Sequence, residues 1–180
     1  MAFHQELDET LQTFIKEQKM FFTGSAGVEG TVNVSPKGMD TFRIITPLRV
    51  MWLNLTGSGN ETAAHILENG RITIMFCAFE GKPRILRLYG KAKSIHPHDL
   101  EWDELISHFP DFLAARQVIV IDITMIQTSC GFGVPLYEYV GERDQLLKWA
   151  EVKGKEGVEI YWRDKNLVSL DRKETGIFGK

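Results

Sequence analysis

A short loop of small polar residues has the composition of an anion-binding site. Residues 57–62 have the sequence Gly-Ser-Gly-Asn-Glu-Thr and lie between an apolar strand pattern at 49–55 and a helical pattern at 61–69. A loop that opens directly into a helix presents backbone N–H groups without intrahelical partners, and the positive end of the helix dipole faces any anion beside them. The loop therefore predicts a phosphate-bearing ligand. The same residue types also form ordinary helix caps, so a capped helix without a ligand remains an alternative.

The elements that position this loop are predicted to be mostly short strands. Alternating or continuous apolar runs predict strands at 20–24, 31–35, 42–45, 49–55, 71–79, 84–94 and 117–126. Helical spacing of apolar residues predicts helices at 6–19, 61–69, 97–108 and 142–164. The first four strands follow one another without the crossover helices that a parallel sheet needs, which favours a β-barrel.

Three glycines and one polar segment modify this predicted order of strands and helices. Gly90 interrupts the strand at 84–94 and predicts a bulge or a sharp bend there. Gly154 and Gly157 are expected to split the last helical region into two pieces. The segment after Asn166 is polar, and we expect it to be loose.

Composition narrows the class of protein. The chain has 180 residues, which suits one domain, and its formal net charge of −3 argues against binding of nucleic acid through phosphate contacts. No apolar run is long enough to span a membrane, and the N-terminus lacks the apolar stretch of a signal peptide. Cys77 and Cys130 form neither a disulfide framework nor a zinc-site spacing, so a reducing cytoplasm is the expected location.

The order of elements resembles the pyridoxamine 5′-phosphate oxidase-like family of FMN-binding split barrels over about residues 10–126. The most specific part runs from Trp52 to Phe76, where the short helix ends in Glu-Asn-Gly-Arg, and it continues to a Gly-Lys-Ala ending at Ala92. The resemblance implies a β-rich α+β fold: a split β-barrel of Greek-key type with short peripheral helices. Residues 1–140 would form the FMN-binding split-barrel domain, and 141–180 a C-terminal helical extension packed on the barrel or dimer.

The resemblance also implies a set of cofactor-binding residues. Asn60, Glu61 and Thr62 occupy the place where the family often has a Ser-Arg-Lys triplet on the FMN phosphate, so this loop lacks the usual cationic clamp. Lys37 occupies the place of the basic residue at the edge of the flavin ring; a solvated lysine in a turn is the alternative. The implied set lies on three strands, the loop and the segment after the last strand: Asn33, Ser35, Lys37, Asn54, Thr56, Ser58, Gly59, Asn60, Glu61, Thr62, Arg84, Arg87, Gln127, Thr128, Ser129 and Cys130.

A cation must compensate for the acidic residue in the phosphate loop. We expect Arg84 or Arg87 to supply it. These two arginines lie three positions apart on one strand and face opposite ways, so at most one reaches a given pocket. Lys37, Arg43 and Arg49 are the other candidates.

The segment that follows the last predicted strand departs from the family. Residues 127–135 are polar and rich in glycine, which lets a backbone approach a flat ligand closely. They replace the Trp- and Arg-rich substrate motifs of pyridoxamine phosphate oxidases, so pyridoxamine phosphate is not the expected substrate. Cys130 is either a packed thiol in a turn or a redox residue, and Cys77 is expected in the core.

The histidines in the sequence do not indicate a further functional site. His96 and His98 flank Pro97, but no carboxylate or cysteine spacing around them indicates a metal site. His65, on the short helix after the loop, is expected to lie at the surface or to cap the helix, and an approach to the cofactor loop is the alternative. No metal is therefore predicted, and no side chain is identified as a catalytic acid or base.

The resulting hypothesis is an FMN-dependent oxidoreductase that acts as a homodimer with the cofactor at the interface and takes a small-molecule substrate or electron donor. The apolar run 117–123 is mostly β-branched and is expected to need a partner for its burial. A flavin- or haem-binding carrier or sensor without turnover is the alternative, and related split barrels also use deazaflavin. A dimeric structural domain without ligand is the third possibility.

Overall fold

The fold is an antiparallel sheet with four helices, seen in a computed structural model that describes residues 1–179. The strands in chain order are β1 (Ala2–His4), β2 (Phe21–Ala26), β3 (Val32–Lys37), β4 (Phe42–Thr46), β5 (Arg49–Leu55), β6 (Arg71–Cys77), β7 (Ile85–Ile95) and β8 (Ala115–Ser129). The helices are α1 (Glu9–Glu17), α2 (Glu61–Asn69), α3 (Trp102–Ile106) and α4 (Gln145–Lys165).

The sheet curls around an aromatic core. Its strand order is β3-β2-β6-β7-β8-β5-β4, and β1 pairs with β8 outside this path. Phe21 near one end of the order and Phe42 near the other meet edge to face with ring centroids 5.0 Å apart, and Phe76 contacts both. The curled antiparallel sheet confirms the predicted split barrel. Within residues 1–179, no helix has the length and apolar character needed to cross a bilayer.

Strand β8 is buried on both faces within one chain. Ile119 and Ile121 pack into the barrel core with Trp52, and Val118 faces a second apolar cluster built around Met51 and Leu53. The side chains of α3 and of the segment after it complete that second cluster. Full burial of such a side chain contributes about 1.5–3 kcal/mol. The premise that this run needs a partner chain for its burial is therefore wrong, because α3 and its neighbours cover the second face.

Local signals predicted several elements correctly. Helix α2 spans the predicted residues and ends at Gly70 in the left-handed conformation that favours glycine. The pairing of β7 with β8 shifts register between Tyr89 and Gly90, which confirms the predicted bulge. Gly154 has φ 64° and ψ 173° and breaks α4 at the expected place.

Elements that depend on distant partners were predicted less well. Strand β1 was missed because its pairing with β8 joins residues far apart in sequence. Residues 127–129 are not a loop but the end of β8, held between β1 and β7. The helix predicted at 97–108 is reduced to the short α3.

Residues 167–179, expected from the sequence to be loose, are packed against the barrel. Asp171 accepts hydrogen bonds from the backbone N–H and the hydroxyl of Thr31 at 2.8 and 2.9 Å. Lys173 forms an ion pair with Glu68 at 2.6 Å. These contacts attach the segment to the turn before β3 and to α2.

The bulge at Gly90 generates a stability prediction. A Cβ at this position would overlap the backbone oxygen of Asp122 and lie 2.7 Å from a side-chain atom of Ile121. Because overpacking costs about 1–3 kcal/mol, Gly90→Ala should lower the free energy of unfolding by this amount in urea denaturation. Gly133→Ala is the matched control, since no described atom lies within 4 Å of its added Cβ. Equal unfolding midpoints for the two variants would contradict this reading of the bulge.

Candidate functional site

One cavity collects most of the predicted cofactor residues. It has a volume of about 390 Å³ and lies between β3, β5 and the loop that leads into α2. This size falls within the usual range of small-molecule sites. The predicted residues that line it come from these three elements: Asn33, Ser35, Lys37, Asn54, Thr56, Ser58, Gly59, Asn60, Glu61 and Thr62.

The first turn of α2 opens onto this cavity without a side-chain cap. Asn60 precedes the helix, but its side chain makes no capping hydrogen bond. Its amide group pairs instead with the amide of Gln117 on β8, in two hydrogen bonds of 3.2 and 2.9 Å. The capped-helix alternative therefore does not describe Asn60. The N–H groups at the helix start keep the anion-binding character that the sequence predicted.

Arg116 supplies a buried positive charge at the cavity. This residue lies on β8 and is 2% exposed. Its Nη1 donates to the backbone oxygen of Gly59 at 3.0 Å and to Oδ1 of Asn166 at 2.7 Å. Its Nε has no hydrogen-bond partner within residues 1–179. Burial lowers the pKa of the guanidinium to about 10, although the charges of Tyr161 and Glu61 act in the opposite direction.

Lys37 supplies the second positive charge. It ends β3, and its Nζ donates to Oδ1 of Asn54 at 3.2 Å. Burial and, to a smaller extent, the nearby charge of Arg116 together lower the pKa of Lys37 to about 8. The lysine is therefore a cavity residue at the end of a strand and not a solvated side chain in a turn. Both cations of the cavity are held by neutral oxygen atoms, an arrangement that favours an anionic guest.

The acidic residue of the loop is held by the C-terminal segment. The Oε2 atom of Glu61 accepts the backbone N–H of Leu170 at 2.7 Å. A side chain at Gly59 would run into the same carboxylate, with an added Cβ only 2.6 Å from Oε1. Glycine at this position lets Glu61 fold beside the loop while its carboxylate binds a backbone group of the chain.

Polar contacts behind the cavity fix the first turn of α2. The hydroxyl of Thr62 lies 3.0 Å from Nδ2 of Asn33 and 3.3 Å from Oγ of Ser25. Ser25 in turn lies 3.0 Å from Nδ1 of His65. His65 has no exposed surface, so the surface or capping role expected from the sequence is wrong. It fills the space between α2 and β2 instead.

The C-terminal extension anchors the other end of the loop. Nε1 of Trp162 donates to the hydroxyl of Thr56 at 2.8 Å, and Nδ2 of Asn166 donates to the backbone oxygen of Gly57 at 3.1 Å. Asn166 thus joins both the loop and Arg116. The sequence analysis did not identify Trp162, Asn166 or Arg116 as site residues. The one local signal was an arginine directly before the most apolar strand.

Arg84 and Arg87 do not line this cavity. The guanidinium of Arg84 lies over the ring of Phe14, 5.3 Å from its centroid. Arg87 donates to the hydroxyl of Ser129 at 3.3 Å. Within one chain, the charge that we expected from these two arginines comes instead from Lys37 and Arg116. The other candidates are occupied elsewhere, because Arg43 pairs with Asp40 and Arg49 with Asp122.

The predicted residues at 127–130 also lie away from the cavity. Gln127 accepts a hydrogen bond from the hydroxyl of Tyr89 at 3.2 Å, and Thr128 lies 2.9 Å from the imidazole of His4. Cys130 is exposed. Cys77 is buried, and burial raises the pKa of its thiol, in keeping with a core position.

Comparisons with known proteins agree on one family and fold. The profile of pyridoxamine 5′-phosphate oxidase matches residues 7–130. The pyridoxamine 5′-phosphate oxidase family protein ustO of Aspergillus flavus is 40% identical over 189 residues, covering 93% of this chain and 76% of that protein.

Solved structures give the same architecture at low sequence identity. HupZ of Group A Streptococcus aligns with a TM-score of 0.54 and 16% identity over 68% of this chain and 94% of that chain. A candidate pyridoxamine 5′-phosphate oxidase of Lactobacillus delbrueckii aligns with a TM-score of 0.55 and 16% identity over 71% of this chain and 99% of that chain. At this identity the two structures show the fold alone.

The lowered pKa of Lys37 predicts how stability depends on pH. Between pH 8 and the ordinary lysine pKa of 10.5, the unfolded chain keeps a proton that the folded chain releases. The free energy of unfolding should therefore rise through this interval, whereas below pH 8 both states hold the proton and the contribution is constant. Urea denaturation of the native protein and of Lys37→Met at about pH 7 and about pH 10 measures this contribution as a difference. A difference that stays constant with pH would contradict the assignment.

Proposed function

The chain belongs to the pyridoxamine 5′-phosphate oxidase family, and we propose that it is an FMN-dependent oxidoreductase that binds the FMN phosphate at loop 57–62. The observation that carries this proposal is the placement of two desolvated cations, Lys37 and Arg116, beside the uncapped start of α2. Neither cation donates a hydrogen bond to a carboxylate within residues 1–179. The charge of Glu61 acts on Arg116, but its carboxylate accepts the N–H of Leu170, and a phosphate group would supply a direct anionic partner for the two cations.

The phosphate fits the donors that the cavity offers. Among the described residues 1–179, Nε of Arg116 is buried without a partner, and Asn60 does not cap the first N–H groups of α2. Charge-assisted hydrogen bonds contribute about 1.5–3 kcal/mol each. Arg116 would thus take the place of the Ser-Arg-Lys clamp that this loop lacks. Thr56 and Ser58, which line the same cavity, add hydroxyl groups.

The remaining lining residues suit the rest of the cofactor. Asn33, Ser35 and Lys37 follow one another at every second position of β3 and line the cavity from one side. Bound FMN would supply hydride or electron transfer, while the chain orients the ring and excludes water. A protonated Lys37 would place positive charge beside it.

We propose that the active form is a homodimer with the cofactor between the subunits. Phe132, Leu136 and Val140 are 82%, 75% and 95% exposed, which is a large apolar surface for one short segment. This segment directly follows β8. Arg84, Arg87 and residues 127–130 lie away from the cavity of their own chain. They would contribute to cofactor binding only by reaching the partner's cavity across such an interface.

A flavin carrier without turnover is the second candidate. Its supporting observation is that no imidazole, thiol or phenol lines the cavity within residues 1–179, so groups suited to proton transfer are scarce. Haem fits less well, because Met39 is the single side chain of a usual axial ligand type that lines the cavity in the described part of the chain. Turnover of FMN-loaded protein with NAD(P)H and an electron acceptor separates the enzyme from the carrier.

If Arg116 binds the phosphate, its loss should weaken the binding of FMN but not of riboflavin, and the loss of Arg84 should weaken neither. Arg116→Met should weaken FMN binding about tenfold to hundredfold, because about 1.5–3 kcal/mol of charge-assisted hydrogen bonding is lost. Riboflavin, which has no phosphate, should bind with nearly unchanged affinity and also reports that the cavity is intact. Calorimetric titration with both ligands measures the effect.

Arg84→Met is the matched comparison for this experiment. Arg84 was expected from the sequence to be a candidate for the phosphate cation. In this structure its guanidinium packs on Phe14 instead. We expect Arg84→Met to keep wild-type FMN affinity. Loss of FMN affinity in Arg84→Met, with wild-type affinity in Arg116→Met, would transfer the phosphate to the arginine that the sequence indicated.

The homodimer predicts a defined mass in solution. Light scattering of the FMN-loaded protein should give about twice the chain mass of 20.5 kDa. Leu136→Glu should favour the monomer, because it places a charge in the proposed interface. Leu100→Glu is the control, since Leu100 is fully exposed in a different part of the fold. A mass near that of one chain for the wild-type protein would contradict the dimer.

A further inference from the structure

A turn after β7 brings two imidazoles and a carboxylate together, and we propose that it binds a divalent transition-metal ion of the zinc class. The donor atoms of His96, His98 and Asp99 all lie within 4.8 Å of one another. None of the three residues lines the cavity assigned to FMN. The proposal is therefore independent of the proposed function.

The spacing of the donor atoms fits a shared ion better than hydrogen bonds. Nδ1 of His96 lies 3.7 Å from Oδ2 of Asp99, and Nε2 of His98 lies 3.7 Å from Oδ1. Both distances exceed the length of a hydrogen bond. Ligand atoms about 2.0–2.1 Å from a tetrahedral zinc ion lie roughly 3.4 Å apart. Small side-chain rotations would therefore close the three donors around one ion.

The backbone of the turn already holds the donors in place. The backbone N–H of His96 donates to Oδ2 of Asp99 at 2.8 Å, and the backbone N–H of Asp99 donates to the oxygen of His96 at 2.9 Å. Pro97 fixes its own φ between the two histidines. The imidazole rings are nearly parallel, with an interplanar angle of 2°. A site held in this way loses little conformational freedom when it binds an ion.

The site is buried on one side and open on the other. His96 is buried, and its Nε2 has no hydrogen-bond partner within residues 1–179. The side chains of His98 and Asp99 are 44% and 35% exposed, which leaves a path for an ion. His98 also lines a second cavity, so a water or a ligand atom can complete the coordination from that side.

The ligand types select the metal. Two imidazoles and one carboxylate suit zinc and neighbouring transition metals, whereas magnesium and calcium prefer sites built from oxygen atoms alone. From the sequence, His96 and His98 were not expected to form a metal site, because no carboxylate or cysteine spacing around them indicated one. The residues of the site are nearly consecutive, and only the fold of the turn shows that their donor atoms converge.

Zinc titration of the tag-free full chain, treated with EDTA and dialysed, tests the proposal. Calorimetry should show one zinc ion per chain. His98→Ala and Asp99→Asn should each weaken zinc binding at least about hundredfold, since even changes outside the ligand set cost about 10–100-fold. His108→Ala, which removes an exposed histidine outside this cluster, should bind zinc like the wild-type protein. Cobalt(II) absorption should show the same ranking among the four proteins.

The exposed position of His98 makes its variant decisive, because the loss of a partly exposed side chain leaves the core unchanged. Circular dichroism checks that each variant is folded. Absence of saturable zinc uptake by the wild-type protein, or wild-type zinc affinity in His98→Ala, would overturn the proposal. Equal weakening by His108→Ala would do the same, since zinc would then bind exposed histidines without preference.

Discussion

The cavity of this protein depends on one buried charge. The guanidinium of Arg116 joins the loop at Gly59 to the C-terminal extension at Asn166, and it lies where water cannot solvate it. A charged group in such a place is costly unless neighbouring groups compensate for it. The oxygen atoms of Gly59 and Asn166 compensate for it in part. The same residue therefore organises the loop and gives the cavity a buried positive charge.

The position of Arg116 follows from the position of β8. This strand is the longest of the sheet, pairs with β1, β5 and β7, and packs against apolar clusters on both faces. Arg116 and Gln117 begin its buried part and point their polar groups to the loop that follows β5. Beside Arg116 the strand pairs with β5 alone, through Ala115 and Gln117, and the register shifts between these two residues. The sheet positions the polar groups, and the loop supplies the backbone donors.

The limits of prediction from sequence follow the range of the interactions involved. The bounds of α2 and the bulge at Gly90 were predicted because their signals lie within a few residues. The cavity residues of β3, β5 and the loop were identified through the family resemblance, which preserves their order. Arg116 was missed because its burial depends on Asn166, 50 residues away. Arg84 was overvalued because strand alternation gives two faces but does not say which face meets the loop.

The anchors of loop 57–62 have a consequence for the order of events during synthesis. Trp162 and Asn166 contact Thr56 and Gly57 across 106 and 109 residues of chain. At about 5–20 residues per second, a ribosome needs roughly 5–20 seconds to make the intervening segment. Strands β6 to β8 are made during this time, so a barrel with all of its strands would carry the loop without its anchors only while residues 130–166 are synthesised. Cofactor loading would then be a late event, and the growing chain would depend on its apolar core alone until α4 had emerged.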